Sequence, residues 1–182
     1  MVAGLETPVL DQLRPQLDFM RAHRPEVRLD LASVKPALTG QFPAGPAAQK
    51  VIFASAVKGR FFCLEGMSSQ DGKPYAAVAE MNLLDETGQP LSHEGWTVAY
   101  VDSEERERED GTAENAIDGQ VANFWHTQWG SASPPYPHRL VLDLGQNRTV
   151  TGFEYVPRQG GDGVAGRIKG YRIYMGDGLV QK

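Results

Sequence analysis

"HRLVLDLGQNRTVTGFEYVPR", residues 138–158, carries the pattern that decides the fold. Two β-like runs, 138–145 and 149–158, flank a polar turn at Gly145, Gln146 and Asn147. Branched and aromatic residues crowd both runs, and turn residues bound them, as expected of short strands. The texture continues downstream in "RIKGYRIYMGD" (167–177) and upstream in "GWTVAYVD" (95–102). It extends back through "YAAVAEMNLLD" (75–85), "GRFFCLEGMS" (59–68) and "KVIFASAV" (50–57). Many short strands at this spacing predict an all-β sandwich or barrel. No helix-length pattern alternates with them, which argues against a parallel βαβ sheet.

The N-terminal part reads differently. Val9, Leu10, Leu13, Leu17 and Met20 form one helical stripe over residues 7–24, with Thr7-Pro8 as its start and Pro25 as its end. "VRLDLASV" (27–34) could be a short strand, and "LTGQFPAGPAAQ" (38–49) reads as a loop. We therefore divide the chain into a helical or linker segment, 1–38, and a β-domain, 39–182.

Composition narrows the function classes. The 182 residues are 41% hydrophobic and 23% charged, with net charge −5 and pI about 5.4. That balance argues against a phosphate-backbone partner and fits a soluble globular chain. No apolar run is long enough to span a bilayer, so membrane insertion is not expected. "MVAGLETPVL" lacks the features of a signal peptide, as a mature protein or a fragment also would. Cys63 is the single cysteine and reads as a small core residue.

Several motifs carry no chemistry on inspection. Gly161, Gly163 and Gly166 fit GxGxxG, but a strand-like run follows where a dinucleotide site needs a helix. "DSEERERED" (102–110) holds six carboxylates, yet interleaved Arg106 and Arg108 suggest a solvated, salt-bridged loop. His23, His93, His126 and His138 show no zinc-ligand spacing, and no GxSxG elbow exists. Asn147-Arg148-Thr149 is a glycosylation sequon, meaningful only in a eukaryotic secretory route. The chain is therefore expected not to be an enzyme.

Residues 111–145 are more informative. "ENAIDGQVAN" gathers Asn115, Asp118, Gln120 and Asn123 in a segment too polar and glycine-bearing for a strand. Two readings stand: oxygens converging on a hard cation, or a self-stabilised Asx-type turn. "FWHTQW" (124–129) follows. In an extended segment neighbours point to opposite sides, so Phe124 and Trp125 cannot face the same way. Trp129 sits in turn-like company and is expected to be exposed. An aromatic wall with a few aimed polar groups is what a small polar ligand needs; alternatively, the rings plug one end of the sandwich.

"ENAIDGQVANFWHTQW", "PPYPHRLVLDLG", "TGFEYVPRQ" and "GRIKGYRIYM" together resemble the discoidin, or coagulation-factor C-type, family, nearest to bacterial carbohydrate-binding modules of family 32. The resemblance covers residues 91–178. It implies a non-catalytic, galactose-binding-like jelly roll with a structural calcium ion and a shallow sugar site in loops at one end. Calcium ligands would be Asn115, Asp118, Gln120, Asn123 and Glu80. Gln120 and Asn123 depart from the family's usual residues, although both keep oxygens. The sugar would meet His126, Trp129, Arg158, Arg167 and Tyr75. Ala165 stands where the family often has Asn, removing one amide contact with galactose.

Residues 49–84 resemble the family's final strands, out of order. The resemblance thus implies either a permuted module or a cut from a tandem array; the latter allows a strand-exchanged dimer. It also implies a glycan partner, a neighbouring catalytic domain, and an extracellular or periplasmic bacterial setting. Adhesion is the alternative role, though the loops are short of Leu, Ile and Phe.

Overall fold

The computed structural model describes residues 27–161 and 164–181. The helical stripe over 7–24 lies outside them, as does Gly163 of the glycine-rich loop. Ten strands follow in order: β1 (Arg28–Leu29), β2 (Leu38–Gln41), β3 (Gln49–Gly66), β4 (Ala77–Val78), β5 (Glu80–Leu84), β6 (Thr97–Val101), β7 (Trp125–His126), β8 (His138–Val156), β9 (Gly170–Gly176) and β10 (Val180–Gln181). A single 3-10 turn, Ala113–Ala116, is the one helical element among the described residues. The described residues form an all-β sandwich.

The principal sheet runs β2-β9-β3-β8-β5, with β6 added to β8, and every pairing is antiparallel. The sequence suggests separate strands at 50–57 and 59–68, and again at 138–145 and 149–158. Each couple instead forms one long strand. Register shifts between Ile52 and Val57 and between Gly59 and Phe61 bend β3 without ending its pairing with β8. Beyond the bend both strands change partners. Residues 138–143 of β8 lie between β6 and the second half of β3, while residues 150–156 lie between β5 and the first half.

This bend folds the sheet over one core. Phe62 from the second half of β3 meets Phe153 from the second half of β8, with ring centroids 5.9 Å apart. Tyr171 of β9 meets Phe153 edge-on at 5.8 Å, and Phe42 stacks on both Tyr155 and Tyr171. "LTGQ", read as loop from its composition, forms edge strand β2 because its backbone completes the ladder with β9. "VRLDLASV" contributes only the two residues of β1, which pair with β10.

The strands from residues 38–84 and those from 97–176 interleave within one chain, with β3 seated between β8 and β9. Phe153 is fully buried where the two halves meet. Phe153→Ala is therefore expected to cost about 3–5 kcal/mol, measurable as a lowered urea midpoint with an unchanged slope.

Candidate functional site

Trp125 and Phe124 face opposite ways, as strand geometry requires. Trp125 is buried and its indole N–H donates to the Ser103 carbonyl (2.9 Å). Phe124 turns outward beneath the Arg158 guanidinium, 4.2 Å from its ring centroid. Trp129 lies three residues beyond β7 and is 40% exposed. Its indole N–H donates to Glu109 Oε1 at 2.8 Å. Arg158 Nη2 approaches Glu109 Oε2 at 3.8 Å, and His126 Nδ1 lies 3.7 Å from Oε1. Glu109 thus gathers Trp129, Arg158 and His126, with Tyr75 5.8 Å from the His126 ring on the far side.

Two residues assigned from sequence to an exposed rim are not exposed there. His126 is only 1% exposed. Its backbone is held in β7 against Ala77, and a β-carbon at Gly166 would meet its Nε2 at 3.1 Å. Nδ1 donates to the Thr127 carbonyl at 2.7 Å, leaving Nε2 buried without a partner. Burial lowers the imidazole pKa, favouring the neutral ring. Arg167 is also buried; its guanidinium donates to the carbonyls of Arg158 (3.0 Å) and Gly160 (2.8 Å). It braces the loop that presents Arg158 rather than reaching solvent.

The acidic run is not a solvated loop throughout. Glu105 is fully buried. Its Oε1 accepts the backbone N–H groups of Glu107 (2.8 Å) and Arg108 (2.9 Å). Oε2 accepts those of Trp129 (2.8 Å) and Gly130 (2.7 Å). Gly130 is needed here, because a β-carbon would press to 3.1 and 3.2 Å from these oxygens and 2.7 Å from Arg108 Cγ. Burial alone would raise the Glu105 pKa, but the four donors outweigh it and hold it down at about 2. One carboxylate thereby ties the loop carrying Glu109 to the loop carrying Trp129. Composition could not single out Glu105 or Glu109 among six carboxylates.

The polar loop lies beside this rim. Glu80 Oε1 accepts the N–H groups of Gly119 (2.6 Å) and Gln120 (3.1 Å), while Oε2 is buried without a partner. Gly119 has φ +80°, a turn that an ordinary side chain would strain. Asp118 Oδ1 accepts the Gln120 N–H (2.9 Å), and Oδ2 accepts from Asn123 Nδ2 (2.7 Å). Asn123 Oδ1 is also orphaned, and Asn115 donates to the Asp110 and Phe124 carbonyls. Burial raises the Glu80 pKa to about 7; the Gly119 N–H opposes this and the Asp118 charge adds to it. Among the described residues no three His, Cys, Asp or Glu side chains form a metal cluster. The loop offers two carboxylates supplemented by amide oxygens. Orphaned buried oxygens beside a second carboxylate fit a hard cation.

Residues 99–179, which carry β7 to β9, the acidic run, the polar loop, Trp129 and Arg158, match the F5/8 type C domain. Over these residues the chain is similar to the F5/8 type C, or discoidin, family. The chain is 48% identical over 79 residues to a sialidase of Micromonospora viridifaciens, covering 43% of this chain and 12% of the relative. It is 34% identical over 89 residues to a galactose oxidase of Gibberella zeae, covering 48% and 12%. It is also 35% identical over 65 residues to an A type blood N-acetyl-alpha-D-galactosamine deacetylase of Flavonifractor plautii, covering 36% and 8%. The chain thus spans only a small part of each relative. The F5/8 type C match and these relatives support a carbohydrate-binding module.

The Glu105 knot gives a direct test. Glu105→Gln keeps one acceptor oxygen but turns an NH₂ group toward two backbone donors. Two orphaned donors should cost on the order of 2–6 kcal/mol, read as a lowered melting temperature. The wild-type carboxylate is held below its ordinary 4.5, so its stabilisation is complete above that pH and is lost as pH falls toward 2. The variant's stability should lack this acid-dependent component.

Proposed function

We propose that the rim around Glu109 is a shallow saccharide site and that the chain acts as a non-catalytic module of a larger glycan-active protein. The observation that carries this is the half-exposed Trp129 ring locked by its indole N–H to Glu109, with Arg158 beside it. A flat apolar face can cover the C–H side of a pyranose, while a carboxylate accepts from hydroxyls and a guanidinium donates to them. Tyr75 walls the inner edge. His126 acts from below as a positioning residue, and Arg167 does the same for Arg158. Galactose-type sugars are the proposed ligands, consistent with relatives named galactose oxidase and N-acetyl-alpha-D-galactosamine deacetylase. A secreted setting, extracellular or periplasmic, follows from that role; no helix among the described residues is long and apolar enough to cross a membrane.

One shallow site binds weakly, on the order of millimolar to high micromolar. Binding should be scored on a glycan array and confirmed by titrating a methyl galactoside. Trp129→Ala is expected to lower affinity at least tenfold with an unchanged melting temperature. Retained binding in that variant would remove the rim from the proposal.

A structural calcium ion belongs to the same proposal. Glu80, Asp118 and Asn123 would hold it, with Gln120 and Asn115 in support, and it would neutralise the two carboxylates. Because such an ion binds only the folded chain, a chelator should lower the melting temperature and calcium restore it. Asp118→Asn should abolish that shift. No shift with saturating calcium in the wild type would count against the ion.

We further propose that the module is permuted in sequence order. Residues 39–90 would be the module's last strands and 91–182 its first. The pairing of β3 with both β8 and β9 within one chain supports it over strand exchange between two chains.

A further inference from the structure

The outer face of the sheet, away from the rim, holds a charged row that the saccharide site does not use. Glu65 on β3 pairs with Arg139 on β8 and with Arg172 on β9, so three central strands present Arg–Glu–Arg side by side. The next row on that face, two residues along, is Val141–Cys63–Tyr174, and Tyr100 of β6 pairs with Val141. Glu65 is 3% exposed and its acceptors are filled. Oε1 receives Arg139 Nε and Nη2, both at 2.9 Å; Oε2 receives the Tyr174 hydroxyl at 3.1 Å and Arg172 Nη1 at 3.4 Å.

A cavity of about 940 Å³ opens over this row, walled by Tyr100, Tyr174, Leu29 and Leu31, with Arg28 at its lip. Three guanidinium groups and one carboxylate give it a net charge of +2 (three minus one), in a chain whose net charge is −5. Glu65 engages only one edge of Arg139 and one nitrogen of Arg172. Arg139 and Arg172 keep 31% and 42% of their side chains exposed, and Arg172 also lies within hydrogen-bonding reach of the Tyr174 hydroxyl. Guanidinium groups fixed by a buried carboxylate are oriented in advance, and their solvent-facing N–H groups suit the two oxygens of an oxyanion. The aromatic and aliphatic walls suit the ring that carries it.

We propose that this pocket is a second binding site, taking a sugar that bears a carboxylate or a sulfate ester. The sugar part rests on the carbohydrate reading above; the oxyanion part rests on the arginine row alone.

The test is an amide-resolved NMR titration of the full chain with four probes: a methyl uronoside, galactose 6-sulfate, neutral methyl galactoside and inorganic sulfate. The charged sugars should move the amides of Glu65, Arg139, Arg172 and Tyr100, while the neutral sugar moves only the Trp129 indole and its neighbours. Arg28→Gln combined with Arg172→Gln should weaken charged-sugar binding at least tenfold; Glu65 keeps Arg139 and Tyr174, so the fold is retained. Unmoved amides on this face, or equal binding in the double variant, overturn the second site whatever happens at Trp129. Inorganic sulfate binding as tightly as the sulfated sugar overturns the sugar class. Movement on this face without any at Trp129 supports the second site and counts only against the rim.

Discussion

A single buried carboxylate sets the geometry of the candidate rim. Glu105 accepts four backbone N–H groups, two from its own loop and two from the Trp129 loop. An ionised group under no solvent is tolerated only when its lone pairs are filled, and here the filling comes from main chain. That choice fixes two loops relative to each other without a disulfide or a regular strand. The Trp129 ring and the Glu109 carboxylate then meet at hydrogen-bond distance although twenty residues separate them. Gly130 is part of the same constraint, because the carboxylate occupies the space a side chain would need.

The core beneath obeys a different economy of form. β3 and β8 are long enough to serve both halves of the sandwich, and their bends bring Phe62 and Phe153 together across it. Strand order in space therefore departs from strand order in sequence. Residues near 60 fill the centre of a sheet whose flanks come from residues near 140 and 173. Long-range pairing of this kind makes for slow folding, since loops must close before the contacts reward them.

Most of the fold was legible because period-two alternation and turn residues are local signals. The runs at 50–57 and 138–145 fall on strands and 149–158 does as far as Val156, and the opposed directions of Phe124 and Trp125 follow from pleating alone. Bulges were not legible, since the shift from Ile52 to Val57 depends on the partner strand rather than on its own residues. The rim was partly legible. Trp129 is exposed as its neighbours suggested, but His126 is covered by Gly166, some forty residues away in sequence. Glu105 and Glu109 were hidden in a run whose composition looked uniformly wet. The difference between a buried anchor and a rim acceptor lies in which backbone amides happen to face each carboxylate.

β1 and β10 form a two-residue pair, Arg28 with Gln181 and Leu29 with Val180. Tension applied through the chain on either side of this pair enters at Arg28 and Gln181, which are neighbours. Such a load peels the two rungs one after the other and does not shear them together. The short strap would yield first, lengthening the tether while β3, β8 and β9 stay paired.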